Sequence, residues 1–149
     1  MRRIFLGIGL LALAACGPKE EPAADTAAMA AAPTIALADV AGTWSARVMP
    51  EIGDSTVLTY EMVATADPSG WTITFPGRPA VPVRPRVDGD SILTEIGPYE
   101  SVLRPGVQVT TNGVFRLVNG ELVGTTHAHY QGAGADSTAR FRTVATKKM

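Results

Sequence analysis

From Trp44 onward the apolar residues alternate with polar ones instead of recurring every three or four positions. The stretch "TVLTYEMVAT" sets Leu58, Tyr60, Met62 and Ala64 on one face and Thr59 and Glu61 on the other, the period of a strand with one buried side. "GWTITF" repeats the pattern, with Trp71, Ile73 and Phe75 against two threonines. No window of helical length carries a 3.6-residue stripe, and turn formers break the chain at short intervals, as in "ADPSG", "VDGD", "IGP", "RPG", "VNG" and "QGAGAD". The pattern predicts strands over 43–49, 56–66, 70–75, 81–87, 91–96, 99–103, 107–118, 121–130 and 137–146. Asn119-Gly120 is expected to form a type I′ hairpin turn, because both central positions of that turn need positive φ. Asn112-Gly113, inside a long run rich in valine and threonine, is expected to be a bulge.

Successive antiparallel strands with short connections read as a meander, and a meander of this many strands removes its edges by closing. The expected fold is therefore all-β: a single antiparallel up-and-down meander forming a small barrel, with a β-sandwich as the alternative. Gly42-Thr43-Trp44 on the first strand, with Arg140 or Arg142 on the last, resembles the lipocalin and wider calycin pattern. That resemblance implies a lipocalin-like barrel whose first-strand tryptophan is covered by a basic side chain from the barrel's end.

The N-terminus changes the picture from fold to location. Two arginines precede the apolar run "IFLGIGLLALAA", which is too short to span a bilayer and has the layout of an export signal. Leu13-Ala14-Ala15-Cys16 resembles the lipobox of bacterial lipoproteins, which implies cleavage before Cys16 and lipid attachment at its thiol. Each buried methylene of an acyl chain contributes about 0.8 kcal/mol, so several chains hold a protein at a membrane without a spanning helix. The stretch after Cys16, "GPKEEPAADTAAMAAAPTIALA", has nine alanines, three prolines and no aromatic residue, and reads as a tether. The division is thus 1–15 signal peptide, 16–38 lipidated tether and 39–149 barrel domain. The implied location is the bacterial cell envelope, and Gly17 in place of an aspartate after the cysteine points by the same resemblance to the outer membrane.

Charge and composition remove several classes of function. Residues 39–149 carry 10 basic and 11 acidic groups, which leaves no electrostatic footprint for nucleic acid. A single cysteine excludes an internal disulfide, a zinc knuckle and a C-x-x-C redox pair. No G-x-S-x-G elbow, H-E-x-x-H, Walker loop or Rossmann fingerprint occurs.

Three features remain as candidate chemistry. His127 and His129 are spaced to share one side of a strand and could offer two imidazoles to a metal, with Glu61, Glu95 or Asp136 as a third ligand; the alternative is a solvated face opposite Ala128 and Tyr130. Arg78, Arg84, Arg86 and Arg104 cluster in sequence and could hold an anionic group, or be surface charge balanced by Asp88, Asp90 and Glu95. Prolines at 76, 79, 82 and 85 remove every third backbone donor from "FPGRPAVPVRPRV", which is expected to be an edge strand or stiff loop and not a central strand. The leading expectation is a non-enzymatic, lipid-anchored envelope protein, without a cofactor, whose barrel binds a small apolar molecule or a protein partner. A metal- or anion-dependent hydrolase using His127 and His129, and a structural envelope spacer, are the alternatives.

Overall fold

The computed structural model describes residues 34–149 apart from residue 133. The export signal, Cys16 and the tether as far as residue 33 lie outside the described residues. Eight strands follow in order: β1 (Gly42–Pro50), β2 (Leu58–Ala64), β3 (Thr72–Thr74), β4 (Val81–Asp88), β5 (Ser91–Glu100), β6 (Gln108–Val118), β7 (Glu121–Tyr130) and β8 (Thr138–Lys147). Each pairs antiparallel with the next and β8 returns to β1, so the sheet is a closed up-and-down barrel and not a sandwich. Closure leaves no complete edge strand to template aggregation.

The alternation read from the sequence sets the inside of the barrel. Met62 and Ala64 on β2, Ile73 on β3 and Phe75 just beyond it are buried as the two-residue period requires, along with Trp71. The eight aromatic residues of the described chain divide by height. Trp44 and Trp71 are 1 % exposed and lie at the end where the chain enters, each with its indole nitrogen donating to a carbonyl: Trp44 to Val40 at 2.8 Å, Trp71 to Thr65 at 2.7 Å. A short 3-10 turn, Leu37–Val40, closes that end and buries Val40 completely. Ile35 and Leu37, which composition assigns to the tether, pack against the core, and the Ile35 amide donates to the Gly89 carbonyl. The folded unit therefore begins before the residue-39 boundary.

Several local expectations meet different outcomes. Asn119 and Gly120 both have positive φ, 51° and 82°, and join β6 to β7 through the Val118 and Glu121 pair, as a type I′ turn demands. The bulge is not at Asn112-Gly113, whose pairing with β5 and β7 runs without a break. It sits on β5, where the register shifts between Ile96 and Tyr99. The two strands expected at 91–96 and 99–103 are consequently one strand bent by Gly97 and Pro98. Gly97 has a φ of 107°, and a Cβ there would lie 2.6 Å from the Val109 carbonyl oxygen, so both conformation and space call for glycine.

Gly113 and Gly124 serve the Phe115 ring. A Cβ on either would collide with that ring, and one on Gly124 would also meet the Val114 carbonyl oxygen. The proline-rich segment is likewise a correction, since β4 is flanked by β3 and β5. Val83 donates its amide toward β3, to the Trp71 carbonyl at 2.9 Å, so Pro82 faces β5 and Pro85 faces β3. The ladder with β5 begins at Val83 and that with β3 involves only Val81 and Pro82, so both prolines face positions where no ladder bond is needed.

Candidate functional site: the open end of the barrel

The loops after β1, β3, β5 and β7 gather at the end opposite the tryptophans, because successive strands of a meander reverse direction. Below them the barrel is not filled. A cavity lined by Tyr60, Phe75, Tyr99, Tyr130 and Phe141, with Val48, Leu58, Ile96, Val109 and Ala128 around them, leaves about 50 Å³ open to the centre of a water molecule. Leu103 and Val102, from the loop after β5, stand over it. The polar groups lining this cavity are hydroxyls: the three tyrosines, Thr94, Thr111, Thr126 and Ser101. A small apolar cavity with a few directed polar groups is the usual form of a small-molecule site.

The strand period brings these side chains together. Tyr60 is two residues from buried Met62, and Tyr130 is two from buried Ala128. Tyr99 faces inward only because the bulge at Gly97 and Pro98 inverts the alternation after Ile96. Its ring stacks on Phe75 with centroids 5.5 Å apart, and Phe75 meets Tyr60 edge to face at 5.7 Å. Such aromatic pairs contribute about 0.5–1.5 kcal/mol beyond their burial, so three sides of the mouth are held as one cluster. Burial raises the Tyr60 phenol well above the ordinary tyrosine range, and neighbouring Tyr99 adds to the effect. Burial also raises Tyr99, partly offset by a hydrogen bond with Thr111. Both therefore stay neutral hydroxyls at physiological pH and can donate or accept.

The residues singled out by sequence lie elsewhere or apart. His127 and His129 are exposed on the outer face of β7, opposite buried Ala128 and Tyr130. The register neighbours of His127 are Asn112 and Arg140, those of His129 Thr110 and Thr138, and no cluster of three metal-ligating side chains occurs among the described residues. The four arginines do not form one group. Arg84 and Arg86 project outward from β4, and Arg84 meets Glu95 at 2.7 Å. Arg78 lies between β3 and β4 and donates to the Glu100 carbonyl at 2.7 Å. Arg104, in the loop after β5, covers the Tyr130 ring at 4.0 Å from its centroid and donates to the Asp136 carbonyl at 2.6 Å.

The basic group over Trp44 is not Arg140 or Arg142. On β8 the inward positions are Phe141, Thr143, Ala145 and Lys147, so both arginines point out, toward Glu51 and Asp54. Lys147 has the inward parity and its ammonium lies 5.6 Å from the Trp44 ring centroid. Sequence reasoning missed the tyrosines of the mouth as a set. Their parity was visible for Tyr60 and Tyr130, but nothing in the sequence marked the inversion that adds Tyr99. The chain matches no family model, no curated protein and no solved structure.

Proposed function

We propose that this protein is a non-enzymatic binding module, anchored by lipid at Cys16 in the bacterial cell envelope, that takes a small and mostly apolar molecule into the open end of its barrel. The supporting observation is the aromatic cavity under the loops after β3 and β5, whose polar lining is made of hydroxyl groups. Its size suits one ring or a short branched chain and not the acyl chains of a phospholipid. The lipobox pattern and the export signal support attachment at a membrane, with the outer membrane as the proposed site.

The test is native mass spectrometry of the protein taken gently from the envelope of its own host. A reproducible added mass of a small organic molecule, lost when Ala128→Phe fills the mouth, is the expected result. A bare mass in both forms would count against a resident ligand.

A further inference from the structure

Five of the ten lysines and arginines among the described residues end on carboxylates: Arg84 on Glu95, Arg116 on Asp90, Arg140 on Glu51, Arg142 on Asp54 and Lys148 on Glu61. Arg47, Arg78, Arg86 and Lys147 do not, and neither, among the described residues, does Arg104. It is half-buried, one face of its guanidinium lies against the Tyr130 ring, and among the described residues its side chain donates only to a neutral acceptor, the Asp136 carbonyl. Its backbone is held as well, since the Arg104 amide donates to the Ser101 hydroxyl at 3.0 Å, and Ser101 is buried.

A guanidinium keeps its charge at any physiological pH, and stacking on a ring removes water from one of its faces. A single carbonyl oxygen satisfies one of its donors and none of its net charge, so the group retains capacity for an anion. Tyr130, which it covers, and Leu103, which precedes it, both line the cavity. Arg78, the other half-buried arginine of the rim, also ends on a carbonyl, that of Glu100, but among the described residues only Arg104 stacks on a ring that lines this aromatic, otherwise uncharged hollow.

We propose that the mouth takes small aromatic monocarboxylates, with the ring among Tyr60, Phe75 and Tyr99 and the carboxylate on Arg104 in place of the Asp136 carbonyl. The edge-to-face and stacked pairs already present show the geometry that a further ring would extend. A carboxylate accepts two parallel bonds from one guanidinium, which a carbonyl does not, so it competes for Arg104 with the Asp136 carbonyl. This assignment rests on the reading of the open end as a ligand site.

The experiment is isothermal titration of the full mature chain carrying Cys16→Ser with phenylacetate and, separately, with 2-phenylethanol. Phenylacetate is expected to bind at least about tenfold tighter, as a charge-assisted pair requires. In Arg104→Gln the two affinities should converge as that for phenylacetate falls, and an unchanged far-ultraviolet circular dichroism spectrum shows that the variant is folded. Equal affinities in the unaltered barrel would overturn the carboxylate assignment and leave the ligand site standing. No binding of either probe would overturn both. A preference that survives Arg104→Gln and vanishes in Arg78→Gln would place the anion on the other rim arginine and overturn the assignment to Arg104.

Discussion

Trp44 on the first strand and Lys147 on the last are register partners, and the Lys147 ammonium lies 5.6 Å from the Trp44 ring centroid. The pair sits at the seam that closes the barrel, above the turn whose Val40 carbonyl holds the indole N–H. The lysine aliphatic chain passes over Gly42, where a Cβ would come 2.6 Å from its Cε. Lys147→Met keeps the covering chain and removes the charge. It is expected to cost about 0.5–1 kcal/mol in urea unfolding. Arg140→Met and Arg142→Met should not disturb the environment of Trp44, because both side chains leave from the outer face. Gly42→Ala should cost more than Lys147→Met, since the φ of 141° adds backbone strain of about 1–3 kcal/mol to the crowding.

Gly113 and Gly124 flank the Phe115 ring, and a side chain at either position takes space the ring already fills. Gly124→Ala is expected to destabilise by about 1–3 kcal/mol, with backbone as well as ring in the way. Gly113→Ala should be partly rescued by Phe115→Leu, because there the obstacles are the ring and the Thr94 hydroxyl. A double-mutant cycle in chemical denaturation measures that coupling, and additive effects would show that the ring is not the obstacle.

Alkaline pH should find a specific weakness at Tyr60. The folded state holds this phenol protonated above its ordinary value of 10.0, whereas the unfolded chain ionises it there. Above pH 10 the unfolded state therefore binds fewer protons than the folded one, and stability falls as pH rises. The urea midpoint should drop as pH rises past 10, and Tyr60→Phe should lessen the drop. An equal slope in both proteins would mean that other groups carry the alkaline transition.

The proposed membrane attachment is tested separately from the barrel. Cys16→Ser is expected to abolish acylation and move the protein from the membrane fraction to the soluble fraction after cell fractionation. A variant that still sediments with membranes would contradict attachment through this thiol.

The barrel was legible because its signal is parity, and parity needs only the chain. Leu58 to Ala64 and Trp71 to Phe75 declare their inner face by alternation, and Asn119-Gly120 declares its turn by the two residues that accept positive φ. Interactions between distant strands were not legible. The bulge depends on Gly97 meeting the Val109 carbonyl, and the choice of Lys147 over Arg140 or Arg142 depends on which parity β8 takes when it reaches β1. Tyr99 entered the site through that bulge, so the mouth could not be assembled from sequence period alone. The histidines show the converse, since their shared side of a strand was readable but not that their neighbours across the sheet are Asn112, Arg140 and two threonines.

The most direct test of the open end as the binding site is a proton–nitrogen correlation NMR titration of the mature chain carrying Cys16→Ser with 2-phenylethanol. Shifts concentrated at Tyr60, Tyr99, Ala128 and Tyr130, with the amides around Trp44 and Trp71 unmoved, are the predicted result. Shifts confined to the outer face, around His127, His129 or Arg84, or no shifts at all, would contradict it.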